Sequence, residues 1–66
     1  MHKYYLQVLG STGVVLRPDV IAEYFTTTTN SSTSSGYYAF FANKELVATY
    51  PIERTIIEKV ERNYED

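Results

Sequence analysis

The chain has 66 residues, a net charge of −2, one histidine and no cysteine. This length allows one small domain, which buries only about 60% of the surface that its unfolded chain exposes. The composition excludes disulfides, a conventional zinc site and, for want of a long apolar run, a membrane helix. We therefore expect one soluble, cytoplasmic domain over residues 1–66 that gains stability by self-association.

The first predicted element is a β-strand over residues 3–9. Tyr4, Leu6 and Val8 alternate with more polar residues, so they share one face. Tyr5 falls on the opposite face. A turn with two glycines follows at residues 10–13, and residues 14–17 favour an extended backbone.

Residues 18–25 fit two structures. Val20, Ile21, Tyr24 and Phe25 have the spacing of one helix face, and Pro18 suits a first helical turn. The same side chains are β-branched or aromatic, which favours a strand. We predict a strand and keep the helix as the alternative.

A tract rich in Ser and Thr covers residues 26–36. The early threonines could continue a strand, but the composition as a whole predicts a flexible, solvated loop. A second interpretation is a hydroxyl-rich loop that closes over a small ligand. Its candidate residues are Thr28, Thr29, Asn30, Ser31 and Ser32.

Residues 37–42 and 45–50 predict a β-hairpin around Asn43 and Lys44. Asparagine suits the first position of a type I′ turn, whereas lysine suits the second position poorly, so a longer loop is the alternative. With a two-residue loop, counting outward gives the register and the core face. The predicted pairs are Phe41 with Leu46, Ala39 with Ala48, and Tyr37 with Tyr50.

The opposite face of this hairpin is the predicted contact surface. The chain has seven Tyr and three Phe, which is more than one thin core needs, and exposed aromatic patches mark contact sites. The predicted interface residues are Tyr5, Tyr38, Phe40, Val47 and Thr49. The alternative is that the sheet curls into a closed barrel, or that the C-terminal segment covers this face, so that both faces are buried.

The C-terminal part of the chain is again ambiguous. Pro51 ends a strand, and residues 52–54 predict a short turn. Over residues 52–63, apolar residues at every fourth position favour a helix, whereas the β-branched residues 55–57 favour a strand that covers a sheet edge. We predict a strand, followed by a solvated tail at residues 62–66.

These elements predict a mainly β fold: a small five-stranded antiparallel SH3-like barrel or meander. The alternative is an α+β fold with a C-terminal helix over a small antiparallel sheet. The pattern also resembles short β-proteins of unknown function encoded by bacteria and phages, which have an aromatic hairpin and a similar strand end. The residues that carry this resemblance are 21–24, 37–41, 46–51 and 56–60. It implies an accessory role in a bacterium or phage and brings no catalytic residues.

The sequence predicts no catalytic residue, metal site or cofactor. His2 stands at the start of the chain, where residues commonly fray, and the serines lie in no nucleophile motif. We expect a non-enzymatic protein-interaction module that binds a protein partner or itself, as an inhibitor or adaptor. The alternatives are a protein that binds or sequesters a small nucleotide, and a nucleic-acid-binding small barrel. Nucleic acid is the less favoured partner because basic residues do not cluster.

Overall fold

The computed structural model describes the backbone of residues 1–30 and 35–64. Over these ranges the chain is mainly β, as the alternation of apolar residues predicts, and it forms no α-helix. No helix in these ranges is both long and apolar enough to cross a membrane. The elements are β1 (His2–Leu9), β2 (Val15–Leu16), β3 (Asp19–Ala22), β4 (Tyr24–Asn30), β5 (Ser35–Ala42), β6 (Glu45–Pro51), a 3-10 turn (Ile52–Arg54) and β7 (Thr55–Glu61).

The strands form two small antiparallel sheets. In the first sheet β1 is central: β7 pairs with one of its edges, while β2 and β3 pair with successive parts of the other edge. The second sheet has the order β4-β5-β6. The mainly β antiparallel prediction is confirmed as a meander, and the described strands do not close into a barrel. They number seven rather than five because β2 is a short separate strand and a bend at Glu23 divides β3 from β4.

Both segments with two interpretations are strands. Residues 19–22 pair with β1, and residues 24–30 pair with β5. Residues 55–61 pair with β1 after a single 3-10 turn, so the alternative of a C-terminal helix is wrong. Side-chain pairs along a helix contribute only about 0.2–0.5 kcal/mol each. Pairing with β1 outweighs them because it satisfies backbone groups and covers an edge of the sheet.

The core lies between the two sheets. Phe40 of β5 is fully buried, and its ring centroid lies 5.2 Å from that of Tyr4 and 5.6 Å from that of Phe25. Partly buried side chains extend this core, including Tyr38, Ala48, Tyr50, Ile57 and Val60. The central cluster is Tyr4, Leu6, Val8, Val20, Ala22 and Phe40.

The predicted hairpin is present, but its register changes one step beyond the turn. Asn43 and Lys44 have φ angles of 54° and 66°, the positive values that a type I′ turn requires. Phe41 pairs with Leu46 as predicted. Val47 is then an extra residue in a β-bulge, because the next pair is Phe40 with Ala48.

The bulge overturns two predicted pairs and one predicted face. Ala39 pairs with Thr49 rather than Ala48, and Tyr37 pairs with Pro51 rather than Tyr50. Ala48 and Tyr50 still pack against the core, since the bulge turns the rest of β6 inward. On β5, however, the core face carries Tyr38 and Phe40, while Tyr37 is exposed.

The predicted loop over residues 26–36 is largely strand. Residues 26–30 belong to β4, residues 35–36 begin β5, and the two strands pair up to Asn30 and Ser35. Ser31 and Ser32 lie outside the described residues. In the predicted tail, Arg62 and Asn63 are exposed but Tyr64 is half-buried. The Tyr64 ring centroid lies 4.9 Å from the Lys3 ammonium.

Candidate interaction surfaces and a terminal cleft

The five predicted interface residues do not share a surface. Phe40 has no exposed area, and Tyr38 is half-buried with its ring centroid 5.7 Å from that of Phe25. The prediction that these two side chains point away from the core is therefore wrong. Its cause is the bulge at Val47, which a count of residues from the turn does not reveal.

Tyr5 lies on the outer face of the first sheet, whereas Val47 and Thr49 are exposed on the second sheet. The Lys3 ammonium is 5.2 Å from the Tyr5 ring centroid, and the Lys59 ammonium is 5.5 Å from it. Partial burial lowers the pKa of Lys3, but neighbouring Tyr and acidic groups together raise it by a larger amount. The net shift of the Lys3 pKa is therefore upward. Tyr5 thus belongs to a charged cluster and not to the surface of Val47 and Thr49.

An apolar row crosses the outer face of the second sheet. Tyr24 pairs with Phe41, which pairs in turn with Leu46. The rings of Tyr24 and Phe41 are stacked with centroids 5.2 Å apart and planes at 17°. Tyr24 and Leu46 are 48% and 57% exposed. Phe41 and Leu46 were predicted as core, so this row is an outer surface where the sequence predicted an inner one.

A second apolar region, which the sequence reasoning missed, lies at the end of the first sheet where β1 pairs with β2. Five large aliphatic side chains are between 44% and 61% exposed there. The signal for it was the run of three apolar residues at 14–16, because a strand can direct only alternate residues to one core. The residues of this apolar end are Leu9, Val14, Val15, Leu16 and Ile56.

Three of the sheet edges carry features that obstruct pairing with another strand. β6 contains the bulge at Val47 and ends at Pro51. β7 contains a second bulge at Glu58 together with the charges of Lys59 and Glu61. The remaining edge of the first sheet consists of β2 and β3, which are only 2 and 4 residues long. Bulges, charges, proline and short length are the devices by which native proteins protect sheet edges.

The fourth edge, β4, has none of these features. It is 7 residues long, contains no charged residue and no proline, and pairs with β5 without a shift in register. Residues 26–29 are all exposed, although in a packed sheet alternate residues are buried. Both faces and the free edge of this stretch are therefore open.

The predicted ligand loop is part of this strand. Thr28 and Thr29 are adjacent residues of β4, so their side chains point to opposite faces. Asn30 pairs with Ser35 at the end of the ladder. The strand thus separates the two threonine hydroxyls that were predicted to act together on one ligand.

A cleft of about 330 Å³ opens at the other end of the sheets, where β1 begins, β3 bends into β4 and β7 ends. Its apolar lining comes from Tyr4, Tyr24, Phe25 and Val60. The rings of Tyr4 and Phe25 meet edge to face with centroids 5.6 Å apart. The aromatic side of this terminal cleft is thus held in place by the core.

The polar lining of the terminal cleft is His2, Glu23 and Arg62. The backbone N–H of Asn63 donates to Nδ1 of His2 at 3.1 Å, so the imidazole carries its proton on Nε2. The Glu23 carboxylate accepts the backbone N–H of Asn43, which ties the type I′ turn to the bend between β3 and β4. The sequence analysis missed Glu23 and Arg62 and expected His2 to fray, whereas His2 belongs to β1, because the three residues come from distant parts of the chain.

The surroundings of Tyr4 in this region shift the pKa of its hydroxyl. Burial raises the pKa of the Tyr4 hydroxyl, and the nearby positive charge of Arg62 partly opposes that rise. Tyr4 therefore stays a neutral phenol, able to donate a hydrogen bond, throughout the neutral range.

No protein-family model, no curated protein and no solved structure matches this chain.

Proposed function

We propose that this protein is a non-enzymatic interaction module that self-associates by pairing the β4 strands of two copies. The open edge of β4 carries the proposal. It is the one sheet edge of the described residues without a charge, bulge, proline or short length to obstruct pairing.

An unpaired edge strand offers a row of backbone N–H and C=O groups to another strand. Residues 26–29 are threonines, which favour an extended backbone. In a single copy of the chain these residues are exposed, so they gain no stability from burial. A second copy would use these groups by extending the sheet from β4 to the partner's β4. The resulting sheet would have six strands in the order β6-β5-β4-β4-β5-β6.

The sequence of β4 suits antiparallel pairing with itself. A two-fold axis at Thr27 places Thr26 opposite the partner's Thr28, and the reverse pair repeats the same contact. Cross-strand threonine pairs contribute about 0.2–1 kcal/mol each relative to alanine pairs. No charge opposes another charge in this register.

The arrangement of His2 supports the non-enzymatic part of the proposal. Its Nδ1 accepts the backbone N–H of Asn63, so a role as general base would require this hydrogen bond to break. The module would therefore act through its surfaces, and the apolar end of the first sheet remains exposed for a protein partner once β4 is paired.

The test is a Thr26→Lys/Thr28→Lys double variant. Both positions are exposed, so the fold should persist, but each lysine would face a lysine of the partner across the two-fold axis. Sedimentation velocity over a range of micromolar concentrations should show wild type at twice the 7.6 kDa chain mass and the variant at 7.6 kDa.

The matched control is Thr49→Lys, which adds a lysine to the outer face of the same sheet at an exposed position away from β4. It should sediment like the wild type, and circular dichroism should show all three proteins folded. A monomeric wild type, or a double variant that associates as strongly as the control, would overturn the proposal.

A further inference from the structure

We propose that the terminal cleft binds a small aromatic anion, that is, one planar ring system carrying one anionic group. This inference goes beyond the proposed strand pairing, because the cleft is complete within a single chain. The shared chemistry fits both a nucleoside monophosphate and an aryl carboxylate, and the experiment below distinguishes them.

The terminal cleft has the size of a small-molecule site. A volume of about 330 Å³ lies at the lower end of the roughly 300–1,000 Å³ typical of small-molecule sites. That space suits one ring system with one substituent and is too small for a dinucleotide. Ligand sites of this kind combine an apolar wall with a few polar groups that converge on it.

Three aromatic residues, Tyr4, Tyr24 and Phe25, line the terminal cleft. Tyr24 is nearly half exposed, yet its ring is fixed by stacking on Phe41. Phe25 is held from behind by Tyr4 and Phe40. A planar ring that enters the cleft therefore meets aromatic surface that is already ordered, so little side-chain entropy is lost on binding.

The terminal cleft also carries several hydrogen-bond donors. The Arg62 guanidinium carries five N–H donors in a planar fork that matches a carboxylate or a phosphate. His2 adds one donor at Nε2, because the bond from Asn63 occupies Nδ1. Tyr4 also lines the cleft, and its hydroxyl is protonated at neutral pH and therefore able to donate a hydrogen bond.

Among the residues that the structure describes, Glu23 is the one acid in the cleft lining, and its position sets the orientation of the ligand. Its carboxylate already accepts the Asn43 N–H, so part of its charge is compensated. We expect the anionic group of the ligand at Arg62 and His2, with the ring toward the aromatic residues of the lining. A ring that carries a donor, such as an amino or hydroxyl group, could then bond the remaining lone pairs of Glu23.

The test is an NMR titration of the isotope-labelled full chain with adenosine monophosphate and, separately, with 4-hydroxybenzoate. Binding of either probe should shift the backbone amides of His2, Tyr24 and Phe25. Adenosine, which lacks the anion, should bind about tenfold more weakly than its monophosphate, as expected for the loss of one charge-assisted contact. Binding of the nucleotide alone or of the carboxylate alone identifies the source of the anion, and both results support the site.

Arg62→Gln should weaken binding of the active probe about tenfold, whereas Arg54→Gln should leave it unchanged. Arg54 is a matched control because it is an exposed arginine on the 3-10 turn and does not line the cleft. Equal weakening by both substitutions would reveal attraction by overall charge and overturn the site. So would the absence of amide shifts with either probe, or adenosine binding as tightly as its monophosphate.

The Thr26→Lys/Thr28→Lys variant separates this inference from the proposed self-association. The cleft residues are unchanged in that variant, so ligand binding should persist even in a chain that no longer pairs through β4. Loss of ligand binding in this folded variant would contradict the claim that the cleft is complete within one chain.

Discussion

Replacing Phe40 with alanine tests whether this side chain anchors the core between the two sheets. Phe40 has no exposed area, and its ring contacts Tyr4, Phe25 and Tyr50 at centroid distances of 5.2, 5.6 and 6.3 Å. Truncation removes the aromatic contacts and leaves a cavity between the two sheets. The cavity should persist because the backbone hydrogen bonds within each sheet hold its strands in place.

The expected cost is about 3–5 kcal/mol, the range for truncation of a buried phenylalanine. A domain of 66 residues has a total stability of about 3–10 kcal/mol at the usual 0.05–0.15 kcal/mol per residue. The alanine variant should therefore lose at least about a third of its stability, and it should be largely unfolded if the total lies at the lower end of that range. Phe40→Leu keeps most of the volume and should remain folded with a loss of about 1–2 kcal/mol.

Urea unfolding followed by circular dichroism measures both changes, at one fixed protein concentration because association adds to apparent stability. The matched control is Val47→Ala, which shortens an exposed apolar residue of the neighbouring strand and should change stability by less than about 0.5 kcal/mol. If Phe40→Ala costs no more than Val47→Ala, Phe40 does not lie in the core and the bulged register is wrong.

Three further changes test other parts of the fold. Gly36→Ala should destabilise by about 1–3 kcal/mol in urea unfolding, because an added Cβ would lie 2.8 Å from the Thr28 carbonyl oxygen; an unchanged midpoint would refute this close approach. Thr55→Val should be neutral or stabilising by up to about 1 kcal/mol, since the buried Thr55 hydroxyl has no hydrogen-bond partner among the described residues; a clear loss of stability would reveal a partner. Burial raises the folded-state pKa of Tyr4 above 10.0, so the stability it contributes is present below pH 10 and is lost as the pH rises through the folded pKa. The Tyr4→Phe variant should therefore lose less stability than the wild type between neutral and strongly alkaline pH. Equal losses would contradict a raised pKa at Tyr4.

The parts of the fold that the sequence predicted are those set by local pattern. Tyr4, Leu6 and Val8 face the core because alternation in one strand fixes their common side. The type I′ turn followed from the preference of Asn43 for positive φ, and it outweighed the poor fit of Lys44.

The register beyond the turn could not be read from the sequence. Phe40 and Phe41 are adjacent aromatic residues, so either could face the core, and the bulge at Val47 is what places Ala48 and Tyr50 on the same face as Phe40. A bulge here lets Phe40 meet Tyr4 of the other sheet, which is a contact between distant parts of the chain. The terminal cleft was equally hidden, because His2, Glu23 and Arg62 become neighbours only when both sheets form.

The pairing of β1 with β7 has a consequence for the order in which the chain folds. Tyr5 and Glu61 stand on neighbouring strands although they are 56 positions apart. Closing a loop of that length costs about 3–4 kcal/mol of chain entropy before the contacts on either side repay it. During synthesis, β1 emerges first and one of its edges stays without a partner until β7 has left the ribosome. The hairpin of β5 and β6, whose strands are joined by two residues, forms long before that edge is closed. We therefore expect folding to the complete first sheet on the millisecond-to-second scale of proteins dominated by distant pairings, despite the small size of the chain.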